Sequence, residues 1–233
     1  MAKKGGTHHT KRLAIPKVIP VSNKKETKFM ITSSPGPHSK SEAIPIRVLL
    51  REVLGVAKSA SEAKKLLKTR KVLIDGKART DEAFPVGLMD VVFLKGGDKT
   101  YRIVVNRKGK LVPVETKEAS KKIAKVIGKR TVAGGKFMAV LHDGRNISID
   151  NNVKVGDSLV ISLPEQKVQE VLKFQKGVRC LVTEGKHSGE IAVLEELVAR
   201  EKSDTEAKLK NHEEFITVAK YLMVIDNSYE GAS

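Results

Sequence analysis

No apolar run in this chain is longer than a β-strand. Val91 to Leu94 and Tyr221 to Ile225 are among the longest, far short of the roughly 20 residues that a membrane helix needs. Met1 to Pro20 has no apolar signal core. Neither a membrane nor export is therefore expected, and the chain reads as a soluble intracellular protein. Cys180 is the only cysteine, so no intrachain disulfide or multi-cysteine zinc site can stand in for packing. A length of 233 residues allows either one large core or several small ones, and punctuation along the chain has to decide.

Punctuation divides the chain. Met1 to Ser41 has little apolar periodicity and carries Gly5, Gly6, Pro16, Pro20, Pro35, Gly36 and Pro37, so it is expected to be an extended arm that orders only against a partner. From Ile46, the residues Leu49, Leu50, Val53 and Leu54 recur at helical spacing between Pro45 and Gly55. Ser59 and Glu62 have capping-box spacing before a second helix whose stripe is Ala63, Leu66 and Leu67, with Lys64, Lys65, Lys68 and Arg70 largely off it. Val72 to Ile74 runs into Asp75-Gly76, a two-residue hairpin signal, and Val91 to Leu94 reads as the next strand.

Beyond Gly96-Gly97 come Tyr101 to Val105, a turn at Asn106 to Gly109, Leu111 to Val114, Phe137 to Leu141, Ile147 to Ile149 and Ser158 to Leu163, the spacing of an antiparallel barrel or sandwich. Ala119, Ile123 and Ile127 stand i, i+4, i+8 and predict one helix within it. Lys173 to Leu194 alternates again. By its own pattern, Leu194 to Lys210 passes for an exposed helix, and Phe215 to Ile225 for a strand.

Charge names the partner class. The formal charge is +17, and through Thr80 there are 19 Lys or Arg against five acids, whereas Glu195 to Glu214 holds seven acids and four bases. Lysines that neighbouring acids fail to offset over 80 residues point to a polyanion more than to a merely solvated face. Aromatic residues make up only 4% and mostly occupy strand positions, so recognition of folded RNA by shape and phosphate is favoured over a single-strand stacking groove. The charge does not separate RNA from DNA.

Reactive chemistry is not indicated. No pair among the six histidines has helical metal-ligand spacing, Gly128-Lys129, Gly135-Lys136 and Gly185-Lys186 lie outside any phosphate-cradling loop motif, and Glu195-Glu196 and Glu213-Glu214 lack an apolar pocket. Cys180 between Val178 and Val182 reads as a buried thiol. No metal, cofactor or enzymatic activity is expected.

Four strings of residues then narrow the reading: Lys11-Arg12-Leu13-Ala14-Ile15-Pro16-Lys17; Gly36-Pro37-His38; Ile74-Asp75-Gly76-Lys77-Ala78-Arg79-Thr80-Asp81; and Pro85-Val86-Gly87-Leu88-Met89-Asp90-Val91. In order and spacing they closely resemble the archaeal and eukaryotic "S-four-e" family of small-subunit ribosomal proteins. The resemblance covers nearly the whole chain, and the short C-terminus looks archaeal. It implies an α+β, multidomain chain: a basic extended N-terminal arm (1–42), a small αα-plus-sheet RNA-binding domain of S-four type (43–95), a central antiparallel β domain with one helix (96–170) and a C-terminal KOW (SH3-like) β-barrel (171–233).

The same resemblance implies RNA contacts by the arm's Lys3, Lys4, Lys11, Arg12, Lys17 and Lys40. In the first domain it implicates Arg47, Arg51, Lys58, Lys64, Lys65, Lys68, Arg70, Lys71, Lys77 and Arg79. The KOW pattern is carried by Lys176, Gly177, Gly185, Lys186, His187 and Gly189, and it replaces the helix over Leu194 to Lys210 with strands at Ala207 to Lys210 and Phe215 to Ile225. The acidic residues around it depart from a basic KOW surface. The expected role is a structural constituent of the small ribosomal subunit, in the cytoplasm, binding 16S-type ribosomal RNA and neighbouring ribosomal proteins without forming a homo-oligomer. The alternatives are a free RNA-binding factor and an accessory of an RNA-modifying enzyme; for an enzyme itself, Lys95 to Gln169 is too short to supply a catalytic domain.

Overall fold

A computed structural model describes residues 7–97, 99–116, 118, 120–198, 205–211, 213–226, 229 and 231. The described residues form nineteen strands and two short α-helices, so within the expected mixture of helix and sheet they are mostly β. It divides into two compact units, Met1–Ile103 with Lys110–Lys117, and Val104–Gly109 with Glu118–Ser233.

In the first unit, β1 (His9–Lys11) pairs antiparallel with β2 (Phe29–Ile31). β3 (Ile44–Pro45) leads into α1 (Ile46–Val48), which continues as a wide π turn over Leu49–Val53, closed by Leu54 N–H donating to the Leu49 carbonyl at 2.9 Å. α2 (Ala60–Lys68) starts where the capping box predicts. Ser59 Oγ accepts from Glu62 N–H at 3.2 Å, while the Glu62 carboxylate reaches back to Lys58 N–H at 2.8 Å; such a cap contributes about 1 kcal/mol. Ala63 and Leu67 are fully buried and Leu66 half-buried.

β4 (Val72–Ile74) turns through Asp75 and Gly76, at φ +50° and +76°, into β5 (Lys77–Ala78), the paired left-handed geometry of a tight hairpin. β6 (Pro85–Val86) pairs with β3. β7 (Val91–Leu94), β8 (Lys99–Val105) and β9 (Leu111–Glu115) complete a sheet of order β5-β4-β7-β8-β9, which continues past Lys95.

From residue 7 on, the arm is packed into the first unit. Ile15, Ile19, Val21 and Met30 are buried, and Arg12, at 1% exposure, donates to both Glu52 oxygens at 3.0 and 2.8 Å, to Glu26 at 3.1 Å and to the Asn23 carbonyl at 2.7 Å. The two arginines oppose the effect of burial on Glu52 and hold its carboxyl below the ordinary 4.5; the Glu52 hydrogen bond likewise raises Arg12 against desolvation. Further along, His38 Nε2 lies 3.0 Å from Asp90 Oδ2 in the interior, and a Cβ on Gly87 would come within 2.3 Å of the His38 ring. The Gly36-Pro37-His38 string and the Pro85 to Val91 string therefore belong to one packed junction.

In the second unit, β10 (Lys121–Val132), β11 (Lys136–Leu141), β12 (Asn146–Ile149), β13 (Ser158–Ser162) and β14 (Val168–Leu172) form a sheet of order β12-β11-β10-β13-β14 over Ala124, Val126, Ala139, Leu141, Val153, Leu159 and Ile161. The helix predicted from Ala119, Ile123 and Ile127 is thus corrected to a strand. Ala119 lies outside the described residues, Ile127 is 57% exposed, and burial of Lys122, Ala124 and Val126 follows period two up to a bulge at Val126/Gly128. Buried Lys122 is matched by buried Asp143 at 2.9 Å.

β15 (Arg179–Val182), β16 (Ile191–Val198), β17 (Glu206–Lys210), β18 (Glu214–Val218) and β19 (Leu222–Val224) form the third large sheet, of order β18-β17-β16-β15-β19. Its core is Cys180, Val182, Ala192, Leu194, Ala207, Leu209, Leu222 and Val224. Burial pushes the unpaired Cys180 thiol up to about 12 and the Lys125 amine, which donates to the Lys220 carbonyl at 2.6 Å, down to about 8. Strands replace the helix that the pattern of Leu194 to Lys210 alone suggested. Phe215 to Ile225 is not one strand, because a 3-10 turn at Ala219–Tyr221 divides it.

Replacing Arg12 by Ala leaves Glu52 buried with half its partners. It is expected to cost the first unit about 3 kcal/mol in urea unfolding and to open residues 7–41 to limited proteolysis, whereas the same segment of the unmodified free protein resists. Because Glu52 is more acidic folded than unfolded, its ionisation favours the docked arm above its ordinary value. That contribution should fade as pH falls through the lower folded value, seen as earlier acid cleavage of the arm.

Candidate nucleic-acid interface

The side of α2 opposite Ala63 and Leu67 carries Lys64, Lys65 and Lys68, all exposed. The helix ends with Arg70 N–H donating to the Leu67 carbonyl at 3.0 Å and Lys71 N–H to the Leu66 carbonyl at 3.2 Å, a closure that places its penultimate residue in the left-handed region. That residue is Arg70, at φ +54°, where glycine is usual. Arg70 and Lys71 thereby stand at the negative end of the helix dipole, which favours cations. The hairpin turn adds exposed Lys77, and Lys58 precedes the helix. Among the described residues, Lys58, Lys65, Lys68, Arg70, Lys71 and Lys77 have no carboxylate partner.

Other expected contacts are already occupied. Arg47 pairs with Glu82 at 3.0 Å, Lys64 reaches the same carboxylate at 3.9 Å, and Arg51 pairs with Glu52. Half-buried Arg79 lies over the Phe84 ring at 4.4 Å. Arg12 is turned inward: its guanidinium is 1% exposed and faces the carboxylates of Glu26 and Glu52. On the arm Lys11, Lys17 and Lys40 are exposed, while Lys3 and Lys4 lie outside the described residues. Exposed Lys24, Lys25, Lys28 and Phe29 join this surface. The basic run Lys24 to Lys28 was the available signal, and it gave no sign that the aromatic residue ending it faces outward.

The KOW-pattern residues do something different. Gly189 is buried at φ +80°, and a Cβ there would stand 2.4 Å from the Asn106 backbone carbon and 2.8 Å from Arg107 N. His187 stacks on Phe215 at 4.1 Å and faces Glu190 at 3.3 Å; Lys186 is exposed, and Lys176 pairs with Glu196 at 3.6 Å. Gly177 donates to the Leu194 carbonyl at 2.7 Å, and Gly185, at φ +93°, is exposed in the loop. Pairing across β16, β17 and β18 aligns Val193 with Lys210 and Glu214, Glu196 with Lys208 and Ile216, and Val198 with Glu206 and Val218. The side away from the core is therefore mixed acidic and apolar, and its lysines are paired with Glu195 and Glu214.

Residues 97–168 match the family model of ribosomal family S4e, residues 48–92 the S4 domain and residues 4–41 the RS4NT (NUC023) domain. The chain is 39% identical to the small ribosomal subunit protein eS4 of Methanosphaera stadtmanae, over 97% of this chain and 95% of that one. It is 42% identical to eS4 of Korarchaeum cryptofilum over 84% of each chain. The crystal structure of the 30S ribosomal protein S4e from Thermoplasma acidophilum superposes with a TM-score of 0.67 and 32% identity, covering 79% of this chain and 93% of that one. These matches define a class of ribosomal protein that is structural and not enzymatic. The chain belongs to the ribosomal S4e family.

Gly189→Ala combines a left-handed backbone with a clash against backbone atoms, so a loss of about 3 kcal/mol in urea unfolding of the second unit is expected. At Gly177, φ is +85° but a Cβ would meet nothing within 4 Å. Gly177→Ala should accordingly cost only the backbone term, about 1 kcal/mol.

Proposed function

We propose that this chain is a structural constituent of the small ribosomal subunit in the cytoplasm, holding folded 16S-type ribosomal RNA and touching neighbouring ribosomal proteins, with no reaction performed. The observation that carries this reading is the ridge of unpartnered cations running from Lys58 through Lys65, Lys68, Arg70 and Lys71 to Lys77, on a chain of a ribosomal family. A rigid helix face with a cationic C-terminal turn suits the phosphates of a folded RNA, which are bound through counterion release. The arm supplies exposed Lys11, Lys17 and Lys40. Arg47, Arg51, Lys64 and Arg79 act chiefly in holding this surface in shape.

The four-part division at 42/43, 95/96 and 170/171 remains the reading of the chain's modules, with 171–233 as the KOW barrel. Its five-stranded sheet and glycine-bearing loop are consistent with that, and its acidic, apolar outer side suits a protein neighbour better than RNA. No helix among the described residues is long and apolar enough to cross a membrane.

Lys65→Gln with Lys68→Gln removes two phosphate contacts without adding repulsion. The slope of log K against log salt for small-subunit ribosomal RNA should become shallower by about 1.5, with unchanged thermal unfolding; an unchanged slope would sink the assignment of this ridge. Arg70→Gly should keep or raise stability, by up to about 1 kcal/mol, while weakening RNA binding. Sedimentation of the native protein with the small subunit, cross-linked to its ribosomal RNA, tests the role as a whole.

A further inference from the structure

We propose that the β1–β2 ribbon of the arm stacks an unpaired RNA base on the ring of Phe29. This rests on the proposed RNA-binding role and names the chemistry of one of its contacts. The register His9↔Ile31, Thr10↔Met30, Lys11↔Phe29 fixes which side chains share a face. Met30 turns inward and is 5% exposed; Phe29, next to it, is 48% exposed. The ring's exposure is thus set by strand pairing, and the ribbon is tied down by Arg12, whose backbone N–H donates to the Lys28 carbonyl at 3.0 Å.

The surroundings of that ring select the occupant. The His9 and Phe29 rings are T-shaped, with centroids 4.9 Å apart and planes at 80°, and the Lys28 ammonium stands over the Phe29 ring, 5.4 Å from its centroid. Lys11 is directly opposite on β1, and Lys24 and Lys25 are exposed on the connection before β2. The nearest acid in this run, Glu26, is turned to Arg12. A half-exposed aromatic ring with cations over and around it matches a base with its two flanking phosphates, whereas an apolar protein surface would have to desolvate those ammonium groups. A base inside a duplex offers no free face, so the occupant is a looped or bulged nucleotide.

The chain contains no tryptophan, so Phe29→Trp installs a single reporter at the proposed contact. Using small-subunit ribosomal RNA as the probe, the full-length Phe29→Trp protein should bind with near wild-type affinity, and its fluorescence should be quenched as RNA is added. Phe29→Leu, apolar but without a π-face, should weaken binding roughly 5- to 100-fold with the salt slope unchanged. Wild-type affinity of Phe29→Leu, or an unquenched reporter on bound RNA, would overturn stacking while leaving the Lys65 and Lys68 ridge intact. Phe29→Leu that binds RNA normally but loses a ribosomal protein neighbour would overturn it in favour of a protein contact. If the wild-type protein itself shows no salt-sensitive RNA binding, both readings fall together.

Discussion

A guanidinium removed from water has to be met by carboxylates, and around Arg12 that requirement organises the first unit. Glu52 accepts from it through both oxygens, Glu26 and the Asn23 carbonyl take further donors, and Arg51 shares the Glu52 Oε1 with Arg12. Such a pair adds little net stability, because desolvation consumes most of the Coulomb gain, but it is costly to misplace. It therefore specifies one position of the arm on the π turn. The β1–β2 ribbon, the packing of Ile15 and Ile19 and the His38–Asp90 contact all follow from that registration.

The same pair divides the basic residues into two populations. Arg12, Arg47 and Arg51 face carboxylates and are used within the fold, and buried Lys122 is spent on Asp143 in the second unit. The cations left without carboxylates on α2, its C-terminal turn and the arm are mostly lysines, with Arg70 as the exception. This sorting has a physical basis: the planar, weakly hydrated guanidinium tolerates burial in bidentate pairs, whereas the ammonium keeps its hydration and its reach. Charge counting finds the excess but cannot tell the two populations apart, which is why Arg12 reads from sequence as an RNA contact.

What was legible in the sequence was local. Ser59 with Glu62, Asp75-Gly76 and the turn at Asn106 to Gly109 each carry their structural instruction within four residues, and each is realised. What was illegible depends on partners far along the chain. Ala119, Ile123 and Ile127 fit a helical period, but Lys122, Ala124 and Val126 fit a strand period equally well, and the choice falls to β11 and β13 pairing on either side of β10. The arm shows no periodicity because its burial is supplied by other elements: Ser34 bonds to Ala83 and Asp81, and Val18 accepts from Leu111 N–H. The outward ring of Phe29 is hidden for the same reason, since only the register with Lys11 decides which of Phe29 and Met30 faces solvent.

Gly189 shows how a motif glycine can mislead when chemistry is read from its type alone. In the loop Gly185-Lys186-His187-Ser188-Gly189, a glycine marks a place where another group comes close to the backbone. The close approach is real, but the approaching group is the backbone of Asn106 and Arg107. A side chain there would collide with protein before any ligand arrived. With His187 held between Phe215 and Glu190, only Lys186 of this loop's Lys-His pair remains exposed to solvent. The motif glycine is therefore spent on packing in the second unit.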